Sequence, residues 1–211
     1  MEENIAQPNQ TRIIVNDFTR EKNVWRVQTD ARLTFFDILL DNNEIKTSLE
    51  IILEGVGASV EIIGLFFGTG AQNFEIAHIV RHKASHTTSK LVTKGALNDQ
   101  AKTTYKGLIE IAKGSVGCSG EQSEHTLLLS DQAHIEAVPA LEIGNNNVKA
   151  AHSVSTTYID ELKKFYLESR GLSEEDAARQ IVQGHFSDVL AKIPDESARR
   201  EIEEKIAKKL K

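Results

Sequence analysis

The feature that most constrains this chain is a change of periodicity near Thr156. Before it, short segments rich in Val, Ile, Thr and Phe follow one another, with polar residues and Gly- or Asn-containing turns between them. Residues 11–15, 24–27, 48–53, 59–67, 74–80, 89–93, 105–112, 126–129 and 148–154 are of this kind. Branched and aromatic side chains fit a pleated surface. Apolar and polar residues alternate with period two in Ala58-Ser59-Val60-Glu61-Ile62 and again in Ile109-Glu110-Ile111. Many short strands in succession imply an all-β body: a barrel, a sandwich or a β-solenoid.

The turns carry further information. Asn-Gly and Asp-Gly, the strongest signals of a two-residue hairpin, are absent. The turns read instead as Gly68-Thr69-Gly70, Leu97-Asn98-Asp99 and Asn145-Asn146-Asn147. Asn tolerates the left-handed backbone and suits corners. Stacked rungs accommodate such corners better than a hairpin meander, yet no strict repeat period is visible.

After Thr156 the period becomes helical, which divides the chain into a β body over 1–155 and a helical part over 156–211. Thr157 and Asp160 resemble a capping box, with Ile159, Leu162, Phe165 and Tyr166 as an apolar stripe and Gly171 as the stop. A second helix starts at Ser173, with Glu174, Glu175 and Asp176 favourably placed toward its dipole. Its stripe runs through Ala178, Ile181, Val182, Phe186, Val189, Leu190 and Ile193. Pro194 interrupts, and a third helix spans about 195–210 with a narrow stripe of Ala198, Ile202, Ile206 and Leu210, the pattern of a solvated surface helix.

Composition removes several function classes. A net charge of −6 argues against a general nucleic-acid binder, which needs a basic face to displace phosphate counterions. The single cysteine, Cys118, rules out an intrachain disulfide framework and fits a reducing compartment. The most apolar run, residues 62–67, is far short of the roughly 20 residues that a membrane span needs. The polar N-terminus has no signal-peptide hydrophobic region, so a cytoplasmic location is expected.

No motif specifies a reaction. The chain has no GxGxxG, no phosphate-binding GxxxxGK[ST], no HExxH and no CxxC, and a non-enzyme is expected. His78, His82 and His86 recur every four residues, a spacing open to a metal triad or to structurally bonded histidines. Farther on, His125, His134, Glu136, Glu142 and His152 are all types able to ligate iron or another metal. On a strand, His152 shares a face with Val148, Ala150 and Val154, and a ring among apolar neighbours must find a hydrogen bond, a metal or a subunit partner. Cys118 sits in a Gly117-Cys118-Ser119-Gly120 turn, and one thiol cannot hold a cluster that takes about four cysteines.

Four stretches in fixed order resemble the Suf scaffold proteins SufB and SufD. They are His82-Lys83-Ala84-Ser85-His86-Thr87-Thr88-Ser89, continued by Lys94-Gly95-Ala96-Leu97-Asn98-Asp99 and Tyr105-Lys106-Gly107; then Leu127-Leu128-Leu129-Ser130-Asp131 with Ala133; then Pro139-Ala140-Leu141-Glu142-Ile143 with Val148-Lys149-Ala150-Ala151-His152; and finally Phe165-Tyr166-Leu167-Glu168-Ser169-Arg170-Gly171-Leu172-Ser173-Glu174-Glu175-Asp176-Ala177. The resemblance implies a right-handed parallel β-helix followed by a small helical domain, shortened at its N-terminus. It implies a non-catalytic scaffold for iron–sulfur cluster assembly that carries at most a transient cluster. The last β-helix strands would pair two scaffold subunits, either two copies of this chain or this chain with a SufB/SufD-like partner. The C-terminal helices would dock a SufC-like ABC-type ATPase through Phe165, Tyr166, Arg170, Ile181 and Phe186, the buried ones supporting the contact.

His152 matches the histidine that the family places at the scaffold–scaffold interface. The chain departs from the pattern at Glu124, where SufB carries a cysteine, and at Ala150, where SufD can carry one. The Val148-Lys149 lead-in is closer to SufD. The resemblance thus makes His152 the leading candidate for the cluster, with Glu142, Glu136, His134 and Cys118 beside it. The rival expectation is a metal-binding or catalytic β-solenoid built on that His/Glu cluster.

Overall fold

A computed structural model describes residues 4–15, 22–41 and 44–210. Its β part holds β1 (Asn4–Ala6), β2 (Thr11–Val15), β3 (Lys22–Val27), β4 (Arg32–Leu39), β5 (Glu44–Leu53), β6 (Ser59–Gly68), β7 (Asn73–His82), β8 (Thr88–Leu97), β9 (Lys102–Ile111), β10 (Cys118–Leu128), β11 (His134–Ile143) and β12 (Val148–Tyr158). Odd-numbered strands form one sheet in the order β1-β3-β5-β7-β9-β11, and even-numbered strands form the other in the order β12-β10-β8-β6-β4-β2. Every described pairing is parallel. The chain therefore winds as a flattened solenoid in which each rung contributes one strand to each sheet, as the turn chemistry favours. β4 and β11 lie outside the segments whose composition marks them as strands. Asp37 interrupts the apolar pattern of β4, while Pro139 and three charged or imidazole groups interrupt that of β11.

A period does exist, and it is carried by the backbone. Glu44 lies opposite Asn73 and Asn73 opposite Lys102, an offset of 29 residues; Lys102 to His134 widens it to 32. The recurring signal is a residue of positive φ at one corner of each rung: Asn9, Asp30, Gly57, His86 and Gly117. Each donates its backbone N–H to the residue just before the next such corner, from Asn9 to Thr29, Asp30 to Val56, Gly57 to Ser85 and His86 to Val116, and Gly117 continues the ladder to Asn147. Only Gly, Asn, Asp and an occasional His take this conformation at low cost. Because four residue types share the position and its spacing drifts, self-comparison of the sequence does not reveal it.

The interior packs two apolar clusters end to end. One is built on Leu33, Phe35, Leu49, Ile51, Ile62 and Val80, the other on Phe66, Phe74, Leu97 and Tyr105. Their inward residues alternate with outward ones, as in Glu44–Leu53 of β5.

Three helices complete the chain: α1 (Glu161–Ser169), α2 (Glu174–Leu190) and α3 (Glu196–Lys208). Asp160 is itself the N-cap of α1, accepting from the Leu162 and Lys163 N–H groups, which corrects the Thr157 capping box, since Thr157 still lies in β12. Gly171 (φ +96) stops α1 in a Schellman arrangement, with its own N–H bonded to Glu168 O and the Leu172 N–H to Leu167 O. Ser173 and Asp195 cap α2 and α3.

Helices α2 and α3 lie on the outer face of the even-numbered sheet, and α1 packs beside α2. Phe36, Ile38, Ile63, Leu65 and Phe67 form one cluster with Val182, Phe186, Val189, Ile202 and Ile206. This explains the unbroken apolar run in β6: that strand is covered on both faces, so alternation is lost. The narrow stripe of α3 is accordingly a packed seam. Lys94 fixes α2 in place, donating to His185 O at 2.8 Å and pairing with Asp188 at 2.7 Å.

Candidate functional site

Two surfaces of the C-terminal half are left without partners by the fold: the last rung and α1. β11 and β12 are the outermost strands of their sheets, so each leaves one edge of backbone groups unpaired. Open edges of this kind are templates for pairing with another chain. Val138, Ile143, Val154 and Tyr158 on these strands are exposed.

His152 stands in the middle of β12, in register with Gln122 of β10. It shares the inward face with Val148 and Ala150, which pack on the interior cluster, yet it is exposed because no further rung covers it. One rung deeper, Gly107 of β9 faces Gln122 of β10, and along the same walls Tyr105 and Thr103 of β9 and Glu124 and Thr126 of β10 are also turned inward. Glu124 is wholly buried, and burial pushes its carboxyl up to about 7. Thr126 donates to one of its oxygens. Burial also holds the Tyr105 hydroxyl in its neutral form by raising its pKa, with the nearby Glu124 and Asp37 adding to the effect. These interior polar residues carry no sequence motif; the only available sign is polar residues falling at inward positions of a period-two pattern.

The remaining candidates are spread out. His134, Glu136 and Glu142 project from the outer face of β11, on the opposite sheet from His152. His134 and Glu142 are eight positions apart on an extended strand, or roughly 26 Å. His125 lies on the outer face of β10 and its Nδ1 bonds to Ser155 Oγ at 2.7 Å. Cys118 begins β10 but is buried in the interior cluster, its Sγ 3.2 Å from Thr87 Oγ1. Among the described residues no three His, Cys, Asp or Glu side chains are grouped to hold a metal ion.

The histidines spaced by four are structural. His78 and His82 are buried within β7: His78 Nε2 bonds to Asp37, while His82 bonds to Thr87 (2.7 Å) and Ser89 (2.8 Å). Burial lowers His82 to about 4, so it is neutral across the physiological range. His86 takes a left-handed corner.

The second surface is α1, which buries none of its side chains. Leu162 is 80%, Phe165 68% and Tyr166 56% exposed. Leu162, Tyr166, Leu167 and the half-buried Ile181 of α2 line a shallow apolar groove of about 370 Å³. Arg170 stacks over the Tyr166 ring at 5.2 Å and is exposed. Phe186 is wholly buried against Phe67, so it supports the helical layer and presents nothing outward.

Comparison with known proteins fits this architecture. The family model described as "SUF system FeS cluster assembly, SufBD core domain" matches residues 15–185. An iron–sulfur cluster assembly SufBD family protein of Mycobacterium tuberculosis is 31% identical over 176 residues, covering 80% of this chain and 44% of the relative. A SufBD family protein of Staphylococcus saprophyticus is 29% identical over 147 residues, 70% of this chain and 32% of the relative. A chloroplastic one of Arabidopsis thaliana is 27% identical over 146 residues, 69% of this chain and 26% of the relative. The chain thus spans less than half the length of these relatives. With a parallel solenoid, a helical layer and a family match across most of its length, the chain belongs to the SufBD core-domain family of SUF-system iron–sulfur cluster assembly proteins.

Proposed function

We propose that this chain is a non-catalytic scaffold subunit that docks a SufC-like ABC-type ATPase through α1 and pairs through its last rung with a second SufBD-type subunit. The observation that carries the docking part is the apolar row Leu162, Phe165 and Tyr166 on a helix with no buried side chain. A helix of that kind gains nothing from solvent exposure of its large side chains, and a row beside a groove is the geometry of a partner anchor. The exposed edges of β11 and β12 support pairing by sheet continuation, either with a second copy or with a SufB-like chain.

The iron–sulfur cluster is cargo in this reading. Among the described residues, His152 is the exposed imidazole on the inward face at the pairing end, while His134, Glu136 and Glu142 lie on the outer face of β11 and Cys118 lies inside. Further ligands come from the partner chain or from the incoming cluster itself. No described helix is long and apolar enough to cross a membrane, and a cytoplasmic location is part of this reading.

The direct test is capture of the cognate ATPase by the full chain, repeated with Leu162→Ser, Phe165→Ser and Tyr166→Ser combined. Loss of capture with unchanged thermal unfolding is expected. Equal capture by both proteins overturns the docking surface. For the cargo, anaerobic reconstitution of the assembled complex with iron and sulfide, with and without His152→Ala, reads cluster content by absorbance; equal content removes His152 from the site.

A further inference from the structure

A helix is held in place mainly by what it buries, and the three helices differ in this respect. α2 buries Ala177, Val182, Phe186, Val189 and Leu190, and α3 buries Ile202 and Ile206. α1 has nine residues and buries none of them. A helix that short is marginal in water by itself, because most helical stability in proteins comes from a packed face. Segments with few buried contacts open at low free-energy cost while the core stays closed.

The connections of α1 permit such opening. Before it, Ile159 packs on the cluster beneath α2 and α3, and after it Ala177 of α2 is wholly buried. Between these anchors lies Gly171, at φ +96 with open space where a Cβ would go. Both caps are local. Asp160 accepts from the Leu162 and Lys163 N–H groups, and Gly171 and Leu172 donate to carbonyls of α1 itself. They bound the helix without tying it to the sheet. α1 lies beside α2, and an ion pair joins the two, Lys164 Nζ to Glu174 at 2.5 Å. The Glu174 side chain is exposed, so water and salt screen the pair.

We propose that α1 is a helix–coil switch: residues 160–172 open as a unit, with the Lys164–Glu174 pair as the latch, while α2, α3 and the solenoid stay folded. The row Leu162, Phe165 and Tyr166 exists as a surface only when the helix is formed. One consequence rests on the docking reading above: the ATPase binds the closed state, and its apparent affinity scales with the closed fraction. Opening itself is a property of the free chain.

The test is residue-resolved amide hydrogen exchange on the full chain without the ATPase, for the wild type and for Lys164→Ala. Alanine keeps the helix propensity and removes the ammonium group. In the wild type, amides 165–169 should exchange about 100-fold faster than amides 182–190, relative to their unfolded rates. Matching protection overturns the proposal. The variant should speed exchange in α1 several-fold and leave α2 unchanged. Unchanged exchange in α1 removes the latch, and equal acceleration in α2 shows that α1 does not open alone; either result overturns the proposal. With no ATPase present, these results bear on the switch alone, whereas equal ATPase capture by the triple serine variant bears on the docking surface.

Discussion

Asp37 Oδ2 lies 2.9 Å from His78 Nε2, and both side chains are shut off from water inside the solenoid. They come from strands on opposite sheets, β4 and β7, so the bond ties the two walls together across the interior. Thr93 and Tyr105 extend the line, the Thr93 hydroxyl being 3.4 Å from His78 Nδ1 and 3.2 Å from the Tyr105 hydroxyl. Gly64 leaves the space that this line occupies: a Cβ there would stand 2.8 Å from Thr93 Oγ1 and 2.9 Å from His78 Cε1.

Removing the imidazole leaves the Asp37 carboxyl buried without that partner. His78→Leu is therefore expected to destabilise the chain by about 3–5 kcal/mol, the range for breaking a buried pair. Urea unfolding of the variant against wild type checks this; a loss below about 1 kcal/mol would show that the pair contributes little.

The Glu124 carboxyl, raised to about 7 from an ordinary 4.5 by burial, binds its proton more tightly in the folded chain. Its stabilising contribution is fully present below pH 4.5 and is lost as pH rises to 7, by on the order of 3 kcal/mol. His82 and His185 act with the opposite sign: burial lowers both to about 4, so stability rises as pH climbs from 4 to 6.5. Glu124→Gln removes only the first effect. From pH 5 to pH 8 the variant should therefore gain more stability, or lose less, than the wild type. Parallel denaturation profiles for the two proteins would contradict the assignment.

Phe165 and Phe186 lie on the stripes of successive helices but have opposite environments. Phe186→Ala should cost about 3–5 kcal/mol through the cavity it leaves, while Phe165→Ala should change stability by no more than about 0.5 kcal/mol. Thermal or urea unfolding of the two variants side by side is decisive, and similar losses would mean that the Phe165 ring is packed rather than exposed.

Two glycines make a further contrast. Gly184 lies within α2 with open space where a Cβ would go, so Gly184→Ala should stabilise by about 0.5–1 kcal/mol. At Gly55 an added Cβ would overlap the Thr29 backbone nitrogen of the neighbouring rung. Gly55→Ala should then push adjacent corners apart and lower the melting temperature markedly, as overpacking against backbone leaves no rotamer to relieve it.

Much of the architecture is readable from residue order. Alternation and β-branching mark most strands, the want of hairpin dipeptides argues for rungs, and Gly171, Ser173 and Pro194 bound the helices because their backbone preferences are local. The ordered motifs from His82 to Ala177 carry the family. The candidate metal ligands were poorly legible, since side chains near in sequence, such as Glu142 and His152, fall on different sheets once the chain turns a corner.

What the sequence determined by itself is the alternation of strand and corner, the caps of the helices, and the want of an intrachain disulfide and of an apolar run as long as a membrane-spanning helix. These depend on φ/ψ preferences and on neighbours within a few residues. What only the tertiary structure decided is the 29-residue pitch, the burial of Phe186 against the exposure of Phe165, and the placing of buried Gln122 beside the exposed His152. Each of these depends on residues a rung or more away, and the free energy of burying a side chain is set by the neighbours that cover it.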